Sequence, residues 1–412
     1  MRASGAAAAA GRASALGAVT LPSAEAPLSY GRQQLSEADV LAVTAALTSD
    51  RLTQGPLVPA FEAELASATG AAAAVAVANG TLALELAYAA LGVGPGARVV
   101  VPANTFLATA TTAVRLGATV EFVDVEPATG NLDVDALERL FARDATPDLV
   151  VPVHFAGLPC DMQRLLELKR AFGFALVEDA AHALGARYRA DGRWWRPGEH
   201  PEVEAATLSF HPVKAITTAE GGAVLTAHAD LAHDVRLLRS HGVDAASPRG
   251  RDERYFAPMV ALGTNARLSE LHAALGRTQL ARLNDFRAQR ARLAACYRET
   301  LGTLGRGDVV PLCAGDATRE HAWHLFVVHV DPSVRDELRE RLAARGVGTQ
   351  VHYHPVPYQP WFARRRSDRS FDAAERHARS AISLPLHPGL DPADVRGVCV
   401  TLVELLDEVA PR

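Results

Sequence analysis

The sequence predicts an α/β protein: a large domain with a mainly parallel sheet covered by helices, then a smaller α+β domain. Two observations support this prediction. Apolar runs in the first half of the chain are continuous rather than alternating, which is typical of strands buried on both faces, and helical patterns separate the earlier runs. Beyond about Arg306 the strands and helices change character. The predicted large domain is therefore 30–305 and the predicted small domain 306–412.

Each predicted element has a local reason. Ser36 is a good N-cap and acidic side chains follow it, so a helix is predicted at Ser36–Ser49, and amphipathic spacing predicts another at Val58–Thr69. The apolar runs predict strands at Ala74–Ala78, Arg98–Pro102, Val120–Val125, Leu149–Val153, Ala175–Glu178, Ala205–Phe210 and Gly222–Thr226. The helical patterns between the earlier runs are Leu82–Leu91, Leu107–Leu116, Val134–Ala142 and Met162–Phe172.

The second half of the chain is predicted to begin with connecting helices. A long helix or a helical pair at about Leu268–Cys296 links the two domains. The predicted elements of the small domain are strand Ala322–Val330, helix Ser333–Arg345, strand Gly348–Tyr353, helix Phe371–Ser380, strand Ile382–Pro385 and helix Pro392–Val409.

Composition limits the class of protein. A net charge of -5, with 22% charged and 49% hydrophobic residues, is that of a globular protein and argues against a nucleic-acid partner or a membrane patch. The four cysteines form no CxxC pair, so neither a zinc site nor a disulfide framework is indicated, and a reducing cytoplasm is expected. Residues 1–29 are rich in Ala, Gly and Ser, and a disordered tail is expected there rather than a signal peptide.

Lys214 is one of only two lysines among 42 basic residues. Arginine fills nearly every position where either cation would serve, so a retained lysine indicates a task that arginine cannot perform. An amine can lose its proton and form a Schiff base, whereas a guanidinium stays protonated. Lys169 lies in an amphipathic helical pattern and is most simply a solvated residue. Lys214 follows a strand and precedes a turn rich in Thr and Gly, which fits either a cofactor-binding lysine or an ordinary loop residue.

Polar and aromatic residues stand where the first two predicted strands end, and parallel sheets bind ligands beyond these ends. Asn79, Gly80 and Thr81 follow the first strand and open a helix, so their backbone N–H groups suit a phosphate; a simple helix cap is the alternative. Phe106 follows the second strand, either as a core residue or as an aromatic platform for a cofactor.

Two further strand ends carry candidate residues. Asp179 would be partly buried and would then need a cationic partner, such as a protonated pyridine nitrogen; the alternative is a cap for the next turn. Ser209 offers a hydroxyl to the same phosphate site. An amine, a carboxylate, an aromatic ring and a phosphate cradle at one edge of a sheet are what pyridoxal phosphate requires. Pyridoxal phosphate is therefore the predicted cofactor.

Two histidine pairs are candidates for substrate contact or metal binding. His352 and His354 stand two apart on a predicted strand and would share a face, whereas His321 and His324 would do so only on a helix. Packing or substrate contact is favoured for both pairs, and no metal site is expected.

The chain resembles the sugar aminotransferases of the DegT/DnrJ/EryC1/StrS family, which are fold-type-I pyridoxal phosphate enzymes. The resemblance extends from about Tyr30 to Leu405. The segments that carry it are RLTQGP at 51–56, VEDAAHALG at 177–185, SFHPVKAITTAEGGAV at 209–224, RSHG at 239–242, LGTNARL at 262–268 and VHY at 351–353.

The resemblance implies roles for individual residues. Lys214 would form the internal aldimine with pyridoxal phosphate, with pyridoxamine phosphate as an intermediate, and Asp179 would pair with the pyridinium nitrogen. Phe106 would stack on the ring, and His182 would lie near its phenolic edge.

The resemblance also implies a phosphate site shared between subunits. Gly80, Thr81 and Ser209 would hold the phosphate, and Asn265 would reach the phosphate of the neighbouring subunit, so that the site is completed only in a homodimer. The candidates for substrate contact are His211, Arg267, His324, His352 and Tyr353.

Within the family, the segment around Lys214 and the stretch Gln350–Tyr353 look most like the C4 aminotransferases of pseudaminic acid biosynthesis. Those enzymes act on a UDP-linked 4-keto-6-deoxy-N-acetylhexosamine, and L-glutamate is the expected amino donor. Two features depart from that branch. It more often carries Ser-Ala-Thr where this chain has Asn79-Gly80-Thr81, and the stretch Asp191–Glu202 is unusual.

The sequence leaves alternatives for both the substrate and the activity. Another nucleotide keto sugar, linked to dTDP or GDP and aminated at C3 or C4, is the alternative substrate. A sugar dehydratase is a rival activity, but in that branch histidine replaces the lysine, so Lys214 counts against it. A non-catalytic regulatory protein on the same fold is disfavoured by the presence of Lys214, Asp179 and Ser209.

Overall fold

The structure, a computed structural model, describes residues 27–143, 146–244, 257–364 and 369–410. Apart from residues 27–29, the tail that is expected to be disordered lies outside these ranges. Within them, no helix is both long and apolar enough to cross a membrane.

A seven-stranded sheet forms the centre of the first half of the chain. Its strands lie in the order β1-β9-β8-β5-β4-β2-β3. Their bounds are β1 Ala73–Val77, β2 Arg98–Pro102, β3 Thr119–Val123, β4 Leu149–Val150, β5 Ala175–Asp179, β8 Ala205–Ser209 and β9 Gly222–Thr226. The predicted strands are therefore present, with ends shifted by a few residues.

One strand of this sheet runs against the others. β9 pairs antiparallel with both β1 and β8, whereas β8-β5, β5-β4, β4-β2 and β2-β3 are parallel pairs. Parallel neighbours are usually joined by a crossover helix. β8 and β9 are antiparallel and need no crossover helix. The loop 210–221, which contains Lys214, joins them directly. The mainly parallel sheet is confirmed, and its one reversal is where the candidate lysine lies.

Helices cover both faces of the sheet. Alternate residues of β1 point to opposite sides. Val75 and Val77 belong to one buried cluster, and Ala74 and Ala76 belong to another that includes Phe61. The helices are Glu37–Leu47, Leu57–Thr69, Gly80–Ala90, Leu107–Arg115, Val134–Phe141, Met162–Phe172, Ala229–Arg239, Glu270–Ala281, Leu283–Leu304, Arg335–Ala344, Pro360–Ala363, Asp372–Ser380 and Pro392–Val409, with 3-10 turns at Phe155–Gly157 and Val356–Tyr358.

The C-terminal residues build a second core around a smaller sheet. Its strands are β10 Val310–Pro311, β13 Phe326–His329 and β14 Ala381–Leu384, in the order β10-β13-β14. The helices Leu283–Leu304 and Pro392–Val409 pack together over this sheet, with Leu293 and Leu402 in the shared buried cluster.

A four-stranded sheet that the sequence did not predict joins distant parts of the chain. Its strands are β6 Arg187–Ala190, β7 Arg193–Trp195, β11 Gly315–Asp316 and β12 Arg319–Glu320, in the order β11-β12-β6-β7. The unusual stretch before the lysine strand thus contributes a hairpin strand, and Trp195 is buried there with its ring N–H bonded to the Ala190 carbonyl. Strand pairing here crosses the predicted boundary between 305 and 306, and the domain division stays a prediction.

The predicted strand Gly348–Tyr353 is wrong. Within the part of the chain that the structure describes, its strand-like contacts are limited to an isolated bridge between Gln350 and Ser383 and a hydrogen bond from the Gly348 N–H to the Leu28 carbonyl. His352 and His354 therefore do not share a face of a strand, since His352 is buried and His354 is exposed. The segment is a loop that packs the His352 side chain inward, and it does not form a ladder of strand hydrogen bonds.

Candidate active site

A cavity of about 520 Å³ lies at the ends of β5 and β8, where the sequence predicted a ligand site. Asp179 and Ser209, the last residues of these strands, line it. A larger groove of about 1290 Å³ lies among three helices elsewhere, but its walls are mostly alanine and apolar residues and include no lysine. The cavity at the strand ends is therefore the candidate site, because an amine, a carboxylate and a hydroxyl line it.

Most of the predicted site residues line this one cavity. Those present in its wall are Gly80, Thr81, Phe106, Asp179, His182, Ser209, His211, Lys214, His324, His352 and Tyr353. Asn265 and Arg267 do not line it within the chain. Asn265 is exposed and forms a bridge with Ser240, and Arg267 forms a bridge with Val77.

Lys214 lies in the compact loop that joins β8 to β9. Its backbone N–H donates to the His211 carbonyl, and two hydrogen bonds between Phe210 and the residues Thr218 and Gly221 close the loop. Burial among protein atoms at the cavity wall lowers the pKa of the Lys214 amine to about 8, against the opposing effect of the Asp179 charge. The amine therefore loses its proton more readily than an ordinary lysine does.

We expect the pKa of Lys214 to govern how the cofactor-free protein captures pyridoxal phosphate. The neutral amine is the nucleophile, so the rate of covalent capture should rise with pH and level off above a midpoint near pH 8. Stopped-flow absorbance across a pH series measures this midpoint. An exposed lysine titrates near ~10.4, so a midpoint there would show that the burial of Lys214 has no chemical effect.

Asp179 is almost fully buried, with 5% of its surface exposed. Its Oδ2 accepts a hydrogen bond of 2.7 Å from the Thr109 hydroxyl, and its Oδ1 accepts one of 3.2 Å from the Ala181 N–H. A buried carboxylate needs such donors, and a cationic ligand would satisfy its remaining acceptor capacity.

The segment after β1 forms a tight cradle. Asn79 caps the helix Gly80–Ala90 by accepting from the Leu82 N–H, so the helix-cap interpretation of this residue is correct. A Cβ on Gly80 would lie 2.9 Å from the Cβ of Ser209, and a Cβ on Gly222 would lie 2.7 Å from the Gly80 nitrogen. Glycine at both positions lets a helix N-terminus and the Ser209 hydroxyl approach one point, which suits an anion.

Aromatic and imidazole rings form the other side of the cavity. Phe106 is 55% exposed, so the core alternative for this residue is excluded. The Tyr353 hydroxyl lies 3.1 Å from Nε2 of His182. Burial raises the pKa of Tyr353 and lowers the pKa of His182 well below its ordinary value, so both are neutral at neutral pH. Nδ1 of His182 is buried and has no hydrogen-bond partner among the described residues.

Two more histidines are held neutral at the cavity wall. The His324 ring lies 4.2 Å from the His182 ring, centroid to centroid, and burial lowers its pKa well below the ordinary value. His352 shares a 2.8 Å hydrogen bond with Ser383, and burial lowers its pKa to about 3. His321 does not join them, because it stacks on Trp323.

Among the described residues, one group has the side chains that a metal ion requires: Asp191, His200 and Glu202. Arg170 forms ion pairs with both carboxylates of this group. The guanidinium offsets part of the negative charge and occupies oxygens of both carboxylates, so the group is explained as a surface ion-pair network.

Sequence reasoning missed several residues of the site. Thr109 contacts Asp179, Thr105 and Glu220 line the cavity, and the Asn104 amide oxygen accepts from the Tyr353 N–H. One signal was available for Thr105 and Thr109: both stand within three residues of the strand-end residue Phe106.

A model of the DegT/DnrJ/EryC1/StrS aminotransferase family matches residues 33–403. Helicobacter pylori PseC, an aminotransferase involved in the biosynthesis of pseudoaminic acid, has a similar structure, with a TM-score of 0.85 and 26% sequence identity over 93% of this chain and 100% of that chain.

Two further solved structures are similar to this chain. S. venezuelae DesV, solved in complex with a ketimine intermediate, has a TM-score of 0.79 and 36% identity over 91% of this chain and 94% of that one. The putative sugar aminotransferase Spr1654 from Streptococcus pneumoniae, in its PLP form, has a TM-score of 0.83 and 27% identity over 93% and 99% of the two chains. Spr1654 has also been solved in a PMP form.

The family match covers nearly all of the described chain, and the three solved structures named here are similar to it over at least 91% of its length. The predicted fold-type-I architecture is confirmed, and pyridoxal phosphate, the predicted cofactor, is confirmed as the cofactor that this family uses. The chain therefore belongs to the DegT/DnrJ/EryC1/StrS aminotransferase family.

Proposed function

We propose that this protein uses pyridoxal phosphate to transfer an amino group from L-glutamate to the C4 keto carbon of a nucleotide-linked keto-deoxy sugar. The observation that carries the proposal is the presence of Lys214, Asp179 and the Gly80–Ser209 cradle in the wall of one cavity. These three parts match the aldehyde, the ring nitrogen and the phosphate of a single cofactor molecule.

The residues of the cavity fit this cofactor. A Cβ on Gly80 would collide with Ser209, so glycine lets the start of the helix and the Ser209 hydroxyl come close enough to hold one phosphate. The exposed Phe106 ring offers a stacking surface, and the unpartnered His182 Nδ1 offers a polar contact at the ring edge. When bound, pyridoxal phosphate supplies an electron sink that stabilises negative charge on the substrate carbon.

Lys214 performs two tasks in this proposal. Its neutral amine would hold the cofactor covalently, and, once released by the amino donor, the same amine would accept the proton that leaves the donor carbon. A pKa of about 8 suits both tasks near neutral pH. Asp179 would keep the ring nitrogen of the cofactor protonated. The side chains of Tyr353 and His182 are neutral and so place no charge at the other edge of the site.

For the acceptor we propose a UDP-linked 4-keto-6-deoxy-N-acetylhexosamine, contacted by His211, His324, His352 and Tyr353. Support comes from the likeness of the segments around Lys214 and Tyr353 to the pseudaminic acid branch and from the structural similarity to PseC. The alternative is another nucleotide keto sugar, linked to dTDP or GDP or aminated at C3, and the pattern Asn79-Gly80-Thr81 favours it because the pseudaminic acid branch more often carries Ser-Ala-Thr there.

A panel of substrates tests the proposed reaction. The purified protein with pyridoxal phosphate and L-glutamate is incubated with UDP-, dTDP- and GDP-linked keto sugars, and the products are analysed by mass spectrometry and NMR. Amination at C4 of the UDP sugar supports the proposal. Amination of another sugar only would select the alternative, and no amination with any of them, despite a bound cofactor, would contradict both.

We further propose a cytoplasmic homodimer in which Asn265, and Arg267 beside it, serve the partner's site. Asn265 is exposed and does not line the cavity of its own chain, which supports a role in another subunit. A cytoplasmic location is supported by the four free cysteines.

Mixing two inactive variants tests the shared site. Lys214→Ala lacks the nucleophile, and Asn265→Asp would place a carboxylate against a phosphate, which repels it. In a mixed dimer, one site combines the intact lysine with the intact asparagine, so a fraction of activity should return. The measurement is the transamination rate of the mixture. Two conditions come first: native mass spectrometry confirms subunit exchange, and the Asn265→Asp homodimer is nearly inactive. Failure to regain activity under these conditions would show that Asn265 acts within its own chain or not at all.

A further inference from the structure

We propose that Thr109 is a positioning residue that holds the Asp179 carboxylate in place for the ring nitrogen of the cofactor; the inference rests on the proposed function. Thr109 is fully buried in the helix Leu107–Arg115. Its hydroxyl donates a 2.7 Å hydrogen bond to Asp179 Oδ2, across a sequence separation of 70 residues. The other carboxylate contact comes from Ala181, which belongs to the same segment as Asp179. Thr109 is therefore the contact that fixes the carboxylate from a separate element.

Counting protons sets the direction of the hydrogen bonds behind Asp179. An ionised carboxylate only accepts, so the single hydroxyl proton of Thr109 goes to Asp179. The hydroxyl oxygens of Thr105 and Thr109 are 2.7 Å apart, and the proton between them must then come from Thr105. The bonds thus run from Thr105 to Thr109 to Asp179, and donation along such a chain strengthens each bond.

These hydrogen bonds between Thr105, Thr109 and Asp179 are shielded from water. Thr105, Thr109 and Asp179 are exposed by 1%, 0% and 5% respectively, so water does not compete strongly with these bonds. Hydrogen bonds to an ionised group are stronger than those between neutral groups. Thr109 therefore holds the carboxylate in one orientation.

The same turn of chain carries the stacking surface. Phe106 is the N-cap of the helix and is exposed at the cavity, whereas the neighbouring Thr105 and Thr109 are buried. One helix start thus sets the ring platform and the partner of the ring nitrogen together. Removing the Thr109 hydroxyl would disturb the carboxylate without removing the platform.

The test compares three variants of the full-length protein. Thr109→Val removes the hydroxyl at nearly constant shape, and Thr109→Ser retains it. Thr112→Val is the matched control, because Thr112 is equally buried in the same helix but donates to the Ala108 carbonyl of its own helix. The measurements are the Kd for pyridoxal phosphate, the position of its visible absorption band in the holoenzyme, and the Tm of the cofactor-free protein.

We expect Thr109→Val to weaken cofactor binding by about tenfold and to shift the visible band, while Thr109→Ser restores both. Thr112→Val should lower the Tm but leave the Kd and the band unchanged. A Thr109→Val protein that matches Thr112→Val in all three measurements would overturn the inference and leave the proposed function intact. If Thr109→Val does not fold, Thr109→Ala replaces it, and an equal Kd for the Ala and Ser variants would overturn the inference. If the protein without any substitution binds no pyridoxal phosphate, both the proposed function and this inference are overturned.

Discussion

Lys214→Arg is expected to abolish transamination while leaving the fold intact. Arginine preserves the positive charge and roughly the length of the side chain, but its guanidinium stays protonated, so it neither binds the cofactor covalently nor accepts a proton during turnover. We expect the loss in kcat to exceed a thousandfold, about 4 kcal/mol in the barrier. Phosphate and ring contacts do not depend on this amine, so non-covalent binding of pyridoxal phosphate should persist.

Borohydride reduction provides the measurement, since it fixes pyridoxal phosphate permanently to the lysine that holds it. The chain has only one other lysine, Lys169, which donates to Glu204 and to the Phe174 carbonyl. Lys169→Arg is therefore a matched control that should keep both labelling and activity. Peptide mapping then assigns the label unambiguously. Repeated turnover by Lys214→Arg at a rate close to that of the unchanged protein would refute the assignment.

Asp179→Asn is expected to retain pyridoxal phosphate poorly and to lower kcat/KM by well over tenfold. The amide has no charge to keep the ring nitrogen protonated, and a close ion pair in a poorly solvated site is worth several kcal/mol. The substitution keeps the shape of the side chain, so the hydrogen bond from Thr109 can persist and the change is mainly one of charge.

A second strand-end aspartate controls for a purely structural effect. Asp124 follows β3 and accepts hydrogen bonds from the N–H groups of Ala373 and Ala374, outside the cavity. Asp124→Asn should lower stability without affecting the Kd for pyridoxal phosphate. If Asp179→Asn lowers activity by less than about tenfold, or ~1.4 kcal/mol, then Asp179 is only a cap, as Asp124 is.

Much of the secondary structure follows from local sequence. The helix Met162–Phe172 has the bounds that its helical pattern predicts, and the structure shows why they are sharp: Asp161 caps its first turn and Gly173, with φ of 82°, ends it. The strands β2 and β9 were also predicted with their correct bounds, because their residues are continuously apolar and buried. Failures occurred where a segment gains its partners from far away. The hairpin of β6 and β7 is stabilised by pairing with β12, more than a hundred residues later.

By itself the sequence determined the fold class and the chemical groups of the candidate site. A lysine in an arginine-rich chain and small or polar residues at strand ends are local facts, and the rule for parallel sheets brings strand ends to one edge. The sequence therefore placed Lys214, Asp179 and Ser209 at one cavity without any knowledge of long-range contacts.

Only the tertiary structure decided how these groups are held. The bond from Thr109 to Asp179 spans 70 residues and the contact of Tyr353 with His182 spans 171, and no local pattern specifies either one. The tertiary structure also reversed β9 and kept Asn265 out of its own cavity. The physical reason is that hydrophobic periodicity reports the burial of a residue, whereas the identity of its neighbour depends on how separate elements pack in three dimensions.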